Sequence, residues 1–264
     1  MNEIIVITSG KGGVGKTTST ANIGAALANF GKKVVLIDAD IGLRNLDVVL
    51  GLENRIVYNL VDVIDGNCKL KQALIRDKRF EGLFLLPAAQ SKDKNDVSPE
   101  QMKVICKELS EEFDYVLIDC PAGIEQGFKN AIAGATSGIV VTTPEVSAIR
   151  DADRIIGLLE ANELSNPKLL INRLKHNMVK DGNMMSIADI KEILAIELIG
   201  YVPDDENVVI STNRGEPLIK ENNSVASQAY INITKRILGE DIPLMEVETE
   251  RNVFRKFKKL FKLK

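Results

Sequence analysis

The sequence predicts an α/β protein in which a mostly parallel β-sheet is flanked by helices. Short apolar runs alternate with helical patterns along the chain, which is typical of repeated β-α units. A glycine-rich segment also separates the first apolar run from the first helical pattern, as in phosphate-binding β-loop-α units. The expected strands are 3–8, 33–38, 82–87, 114–119, 138–143, 167–171 and 198–202.

Capping signals locate several of the connecting helices. A capping box with proline at its first helical position predicts a helix over 98–112. Ser186 and Asp189 open a further helix by similar logic. The last helix of the domain is expected over 222–238 and ends at Gly239. We therefore expect one large domain over these helices and strands.

The glycine-rich segment fits the phosphate-binding template G-x-x-x-x-G-K-[ST]. Glycines let successive backbone N–H groups turn towards a phosphate, and the N-terminus of the following helix adds partial positive charge. In this template Lys16 serves the β- and γ-phosphates and the Thr17 hydroxyl serves Mg²⁺. A glycine turn with incidental lysines is the competing interpretation. The predicted nucleotide-binding residues of the loop are Lys11, Gly12, Gly13, Val14, Gly15, Lys16, Thr17 and Thr18.

A second lysine near the start of the loop, Lys11, is unusual. Since Lys16 already serves the phosphates of its own subunit, Lys11 must find another anion or stay solvated. Phosphates bound across a two-fold interface would satisfy it.

Acidic residues close two of the predicted strands. Asp38 and Asp40 follow one apolar run and Asp119 follows another. Ligands of parallel α/β sheets collect at the carboxyl ends of strands. Asp119 has the Walker B form that holds Mg²⁺ directly or through water, although a strand-end aspartate can also cap the next turn. Asp40 has three open roles: to bind Mg²⁺ through water, to orient the attacking water, or to stabilise the loop 41–46.

Other composition features argue against several classes of protein. No apolar run reaches 18 residues and no basic leader precedes the first strand, so we expect a cytoplasmic chain. Cys68, Cys106 and Cys120 have no C-x-x-C spacing and an odd count, which argues against disulfides or zinc and predicts buried thiols. His176 is expected to lie on the surface in a loop.

The last 14 residues differ sharply from the rest of the chain. Residues 251–264 carry seven Lys or Arg and no acid, whereas the remaining 250 residues carry 27 basic against 37 acidic side chains. An acidic body disfavours general nucleic-acid binding. We expect an ATPase domain over 1–238, an extended linker over 239–250 and a separate tail over 251–264.

As a helix, this tail is amphipathic and typical of segments that lie in an anionic membrane interface. A helix packed on the body and a nucleic-acid tail are the alternatives. Its apolar arc contains Val253, Phe254, Phe257, Leu260 and Phe261, and the opposite face contains Arg251, Arg255, Lys258, Lys259 and Lys262.

The segment 11–18 resembles the deviant Walker A motif, whose early lysine is the signature of the ParA/MinD ATPases. Segments at 38–47, 119–125, 143–153 and 200–205 are similar to members of this family that act in septum placement. The resemblance covers essentially the whole chain. It implies a P-loop NTPase fold of the deviant Walker A type.

The resemblance also implies a Mg²⁺-dependent ATPase that sandwiches ATP between two subunits, with Lys11 reaching the partner's nucleotide. Asp40 would help to position the hydrolytic water, and Asp119 would bind Mg²⁺ through water. The implied catalytic residues are Lys11, Lys16 and Asp40, and the implied adenine contacts, just after strand 167–171, are Asn172, Arg173 and Pro203.

Finally, the resemblance implies partners at the cell membrane, where the protein would be reversibly peripheral on the inner face. A MinC-like division inhibitor would bind the helix after Ser147, with Arg150, Asp151 and Asp153 as candidate contacts. A topological regulator of the MinE or DivIVA/MinJ type and anionic lipid complete the set, with no nucleic acid. The competing functions are a ParA-like DNA-partitioning ATPase, a flagellar-number regulator, and an iron–sulfur carrier or nitrogenase-reductase-like ATPase.

Overall fold

A computed structural model describes residues 2–90, 96–221 and 223–245. The strands of these residues are β1 Glu3–Thr8, β2 Val34–Asp38, β3 Ile75–Arg76, β4 Leu83–Leu86, β5 Tyr115–Asp119, β6 Ser137–Thr142, β7 Lys168–Leu174 and β8 Leu198–Pro203. They form one sheet in the order β3-β4-β2-β5-β1-β6-β7-β8. β3 pairs antiparallel with β4, and the other pairings of the described strands are parallel. The predicted α/β class is confirmed.

Helices cover both faces of this sheet, because its strands are continuous apolar runs that must be buried on both sides. The α-helices of the described residues are α1 Lys16–Asn29, α2 Leu46–Val49, α3 Leu60–Ile64, α4 Leu70–Ala73, α5 Pro99–Glu112, α6 Gln126–Ala133, α7 Val146–Ala161, α8 His176–Lys180, α9 Ile187–Leu194, α10 Glu206–Asn213 and α11 Val225–Ile237. Helices α1, α2 and α11 pack on one face, and α3, α4, α5, α6, α7 and α9 contribute to the core on the other. Short 3₁₀ turns span Glu53–Arg55 and Leu218–Lys220.

The helix starts that capping chemistry predicted are confirmed. Ser98 and Gln101 form a reciprocal capping box at the start of α5, and Ser186 and Asp189 form another at α9. The last helix starts later than expected, because the Ser224 side chain accepts a hydrogen bond from Ser227 N and α11 begins at Val225.

Two strands differ from the expectation. β3 has two residues and was not predicted, because its position comes from pairing with β4 rather than from a periodic pattern. β7 continues to Leu174 instead of ending at 171, so Asn172 and Arg173 lie within the strand and not after it. A register shift against β8 and a left-handed Arg173 (φ 57°) accompany this extension.

The helix that follows the phosphate-binding loop is fixed by α11 and by the turn before it. The fully buried Tyr230 hydroxyl lies 3.2 Å from Ser19 Oγ of α1. Leu218 N donates to Asn22 Oδ1 over 2.7 Å. These bonds satisfy polar groups inside the packed layer. They also fix the position of α1, and with it the helix N-terminus that adjoins the loop.

Arg79 joins three parts of the chain on the α2 side of the molecule. Its guanidinium grips both oxygens of Asp77, with a 2.7 Å contact from Nη2 to Oδ2. It also donates to the carbonyls of Leu50, at the end of α2, and of Gly215. Since Asp77 is only 1% exposed, its carboxylate is shielded from water, whereas part of the Arg79 guanidinium is not.

We expect Arg79→Met to lower the free energy of unfolding by about 2–4 kcal/mol, because it leaves the buried Asp77 carboxylate without its partner. Urea unfolding measures this change. Lys78→Met, which removes the same charge from an exposed neighbour, is the control and should stay within about 0.5 kcal/mol of the parent chain. Equal effects of the two substitutions would contradict this account.

Candidate functional site

The loop between β1 and α1 has the backbone of a phosphate cradle. Gly13 and Gly15 both adopt positive φ angles, 77° and 98°. A Cβ at Gly15 would lie 2.2 Å from Asn172 Nδ2, so no other residue fits there without displacing the Asn172 side chain. Lys16, 8% exposed, begins α1, whose N-terminus favours an anion. The loop therefore has the shape and the charge to hold a phosphate.

Two carboxylates meet beneath this loop. Asp38 and Asp119 end the neighbouring strands β2 and β5 and are direct partners in the register. Asp119 hydrogen-bonds to the Thr17 hydroxyl, and Thr20 Oγ1 lies 3.4 Å from its Oδ1. Both carboxylates are almost fully buried. Parallel pairing thus places two acids at the carboxyl edge of the sheet, beside the loop.

The crowding of these carboxylates changes their acidity. Burial raises the pKa of Asp38 to about 6, although backbone N–H groups of Leu46 and Asp40 donate to it. Burial and the charge of Asp38 raise the pKa of Asp119 to about 7, against the lowering effect of Thr17 and Lys16. The charge of Asp38 therefore disfavours the charged form of Asp119, and the charges of Asp40 and Asp47 disfavour that of Asp38.

These groups fit Mg²⁺. The Thr17 hydroxyl and the Asp119 carboxylate are hard oxygen donors of the kind that Mg²⁺ prefers. A divalent cation would also offset the like charges that raise both pKa values.

Asp40 lies in the turn that follows β2. Its N–H donates to Asp38 Oδ1 over 3.0 Å, and its carbonyl accepts from Leu43 N and Arg44 N. The backbone of Asp40 therefore stabilises the loop 41–46, which was one of its three predicted roles. The Asp40 side chain raises the pKa of both Asp38 and Asp119 by charge repulsion, so it stands close to the same site.

Lys11 has a partner within its own chain. Its Nζ lies 3.3 Å from Glu145 Oε2 and 3.3 Å from Ser147 Oγ, at the start of α7. The expectation that Lys11 needs an anion is met here by Glu145, which sequence reasoning did not identify. Both side chains are substantially exposed, at 43% and 59%, so the pair is weak and Lys11 remains accessible.

A cleft of about 1110 Å³ opens beside the loop. Asn172, Arg173 and Pro203, which are the expected adenine contacts, all lie in the lining of this cleft. The Asn172 amide is already engaged, however, because Nδ2 donates to Val14 O over 2.8 Å and Oδ1 accepts from Arg173 N. Asn172 thus fastens the phosphate loop to β7, and this role was not predicted.

The predicted partner residues on α7 differ in accessibility. Arg150 and Asp153 are exposed, whereas Asp151 is half-buried. A Cβ at Gly10 would lie 2.4 Å from the Asp151 carbonyl oxygen, so Asp151 backs onto the start of the phosphate loop. Arg150 and Asp153 are the better placed of the three for a partner.

The remaining predictions have mixed outcomes. Cys106 and Cys120 are buried thiols, as expected, and burial raises the pKa of each to about 12. Cys68 is only half-buried. His176 is half-buried rather than on the surface, and it begins the short helix α8 instead of lying in a loop. Its ring makes an edge contact with the Tyr201 ring, with 6.0 Å between the ring centroids.

Sequence reasoning missed three contributors to the site. Sequence reasoning placed Asp38 at the end of a strand but gave it no role, although it gave one to Asp119, the register partner of Asp38. Thr20 lies one helical turn beyond Lys16, a spacing that places both on one side of α1. Glu145 lies 134 residues from Lys11, and local spacing gives no signal for that pair.

The predicted tail, 251–264, lies outside the described residues. Within 2–90, 96–221 and 223–245, none of the helices combines the length and apolarity needed to cross a membrane.

The fold and the loop together define a P-loop nucleotide-binding domain. A family model described as the CobQ/CobB/MinD/ParA nucleotide binding domain matches residues 5–218. The septum site-determining protein MinD of Bacillus subtilis is 58% identical over 264 residues, which cover 99% of this chain and 98% of that protein. The chain therefore belongs to this family and, within it, to the septum site-determining MinD proteins.

Solved structures agree with this assignment. The MinC:MinD cell division protein complex of Aquifex aeolicus contains a chain that is 52% identical, with a TM-score of 0.86 over 92% of this chain and 98% of that one. MinD complexed with Mg-ADP from Pyrococcus horikoshii is 30% identical, with a TM-score of 0.83 over 92% of this chain and 100% of that one. These matches confirm the P-loop ParA/MinD fold.

The raised pKa of Asp119 predicts how stability depends on pH without nucleotide or Mg²⁺. Because its folded pKa of about 7 exceeds the ordinary 3.8, the folded chain binds this proton more tightly than the unfolded chain. The stabilising proton is present at low pH and is lost as pH rises towards 7. When the pH rises from 5 to 8, the free energy of unfolding of the parent chain should fall by about 3 kcal/mol more than that of Asp119→Asn, because only the parent chain can release this proton.

Urea unfolding in EDTA at both pH values measures this difference. Asp153→Asn, which changes an exposed aspartate, is the control and should keep the parent pH dependence. A parent-like slope in Asp119→Asn would show that Asp119 does not change its protonation between pH 5 and pH 8, and would contradict a pKa of about 7.

Proposed function

We propose that this chain is a Mg²⁺-dependent ATPase that dimerises on ATP, binds the inner face of the cell membrane through residues 251–264 and recruits a MinC-like division inhibitor to control septum placement. The observation that carries the proposal is that two lysines of one loop differ in exposure. Lys16 is buried at the helix start, whereas Lys11 is accessible at the mouth of the site. One lysine holds the nucleotide of its own subunit, and the other is available to a second subunit.

ATP hydrolysis follows from the residues of the loop and the two strand ends. Lys16 and the loop N–H groups hold the phosphates and stabilise charge that develops on them. Mg²⁺, held by Thr17 and Asp119, would supply further charge neutralisation to the phosphates. Water attacks the terminal phosphorus of ATP, the bond between this phosphorus and the oxygen that bridges to the β-phosphate breaks, and ADP and phosphate leave. Asp40 is the candidate to orient that water, while Asn172, Arg173 and Pro203 border the adenine.

Dimerisation depends on Lys11 exchanging one anion for another. In the single chain it rests on Glu145, and in the ATP-bound pair it would contact the phosphates of the partner's nucleotide. An exposed ion pair contributes about 0–1 kcal/mol, so leaving Glu145 costs little compared with gaining a triphosphate. The salt bridge to Glu145 therefore does not prevent Lys11 from moving to the partner's nucleotide when ATP is bound.

The membrane step follows from the tail's composition and length. Helices below about 12–15 residues are marginal in water, so a tail of this length must offset its own ordering on lipid and binds weakly alone. Two tails joined by an ATP-bridged dimer gain effective concentration, which raises affinity by about 10²–10⁴-fold. ATP would favour the membrane, and hydrolysis would release the chain.

The proposed inhibitor site is the exposed face of α7. A relative at 52% identity is named as part of a MinC:MinD complex. Arg150 and Asp153 present opposite charges on the same helix, whose N-cap residue, Glu145, is the residue that Lys11 contacts. A MinE-type or DivIVA/MinJ-type regulator would complete the system.

We expect Lys11→Ala to abolish ATP-dependent sedimentation with anionic vesicles, because it removes the contact that joins two subunits. Full-length chain is sedimented with ATP, with ADP and without nucleotide. Glu145→Gln is the matched variant, since it removes Lys11's own-chain partner and should leave ATP-dependent binding equal to or greater than that of the parent chain. Retained ATP-dependent binding in Lys11→Ala would mean that Lys11 is not needed for dimerisation.

Deletion of 251–264 should abolish vesicle binding in every nucleotide state while leaving ATP binding intact. Binding of a fluorescent ATP analogue to the same preparation tests that the domain remains folded. Vesicle binding that survives the deletion would place the membrane contact elsewhere, and equal binding with ATP and ADP in the parent chain would refute the switch.

A further inference from the structure

The predicted linker is not an extended tether over its described part. α11 ends at Ile237, and the φ of 87° at Gly239, two residues further on, allows Glu240 N to donate back to Lys235 O. The six residues that follow, 240–245, then run along the body of the protein. We name this segment the exit strap, because the chain passes from it towards residues 251–264.

Arg236 binds the exit strap to the sheet. Its guanidinium donates to the carbonyls of Ile242 and Pro243 in the strap, over 2.9 and 2.7 Å, and to Ile199 O of β8 over 2.8 Å. β8 lies at one end of the sheet formed by the described strands. A Cβ at Gly200 would lie 3.1 Å from Arg236 Nη1, so the glycine leaves room for this approach. One side chain thus ties the last helix, the strap and the end strand together.

Tyr201 holds the end of the strap from the opposite face. Its hydroxyl donates to Met245 O over 2.7 Å. The register of β8 against β7 skips Ile199, so β8 carries one extra residue at that point. In a regular strand, Gly200 would lie on the same face of the sheet as Leu198. The extra residue shifts this alternation, so Tyr201 lies on the face of Leu198 instead. Accordingly, Leu198 and Tyr201 share one core and Ile199 belongs to the other.

The exit strap therefore crosses the end of the sheet. It begins on the α11 face and finishes at Tyr201, on the face covered by α9, and Met245 packs against both cores. Tyr201 in turn contacts the ring of His176, the first residue of α8. The direction in which the chain leaves the body is set by these contacts and not by the end of α11.

We propose that the exit strap fixes the point from which the tail leaves the domain, and that Arg236 and Tyr201 are positioning residues for membrane binding. This inference rests on the proposed function of 251–264. Five residues separate Met245 from Arg251, and fully extended they span at most about 18 Å. Release of the strap adds six residues and roughly doubles that reach.

A longer tether weakens the cooperation of two tails. Effective concentration falls as about the −3/2 power of tether length, so a change from 5 to 11 residues lowers it about threefold. ATP hydrolysis needs neither residue, because both lie outside the phosphate loop and the two strand-end carboxylates. Loss of the strap should therefore weaken vesicle binding about threefold at unchanged ATP turnover.

The first arm of the test reads the strap directly, without lipid. Full-length chain carries a nitroxide at Leu244→Cys, which is 38% exposed, in a Cys68→Ser background, since the other two cysteines are buried. Arg236→Met and the milder Tyr201→Phe should each increase the mobility of the label. Lys235→Met removes the same charge from the same helical turn and, with Tyr58→Phe, should leave the label as in the parent chain. Unchanged mobility in both test variants would overturn the exit strap.

The second arm measures vesicle affinity with ATP for the same variants. About threefold weaker binding in Arg236→Met and Tyr201→Phe, with parent affinity in both controls and equal ATPase rates, supports the proposal. A mobile label combined with parent affinity would overturn the positioning role. If the parent chain itself fails to bind vesicles with ATP, the proposed function fails and this role with it, while the label still reports whether the strap exists.

Discussion

The site depends on the pairing of two strands that end at the same level. Because β2 and β5 run parallel and in register, Asp38 and Asp119 are brought together in the interior. Their mutual repulsion is tolerable only beside Lys16, the Thr17 hydroxyl and the backbone N–H groups that Asp38 accepts. Buried like charges therefore lie at the place where a divalent cation would be bound, beside the loop that would hold the phosphates.

The parts of the fold with a local cause could be predicted from the sequence. Buried parallel strands are continuous apolar runs, and helix starts at Ser98 and Ser186 are determined by side chains within four residues of each other. The phosphate loop is likewise recognisable, since only glycine suits the backbone at Gly13 and Gly15. These features need no knowledge of the rest of the chain.

The features that escaped prediction all depend on tertiary contacts. The two-residue β3 exists because β4 is beside it, and Asn172 binds the loop because β7 extends past its apolar run. Glu145 meets Lys11 across 134 residues, and the contact of Tyr201 with the exit strap follows from one extra residue in β8. Local composition suggested a tether after Gly239, but Arg236 and Tyr201 supply bonds that composition does not reveal.

The contact between Gly10 and α7 gives the molecule a mechanical property. The Asp151 backbone stands so close that even a methyl group at position 10 would overlap it. No compressible gap separates the phosphate loop from the helix whose outer face carries Arg150 and Asp153, so a displacement of that helix towards the loop is transmitted instead of absorbed. A protein that grips the outside of α7 would thereby press on the backbone that cradles the nucleotide.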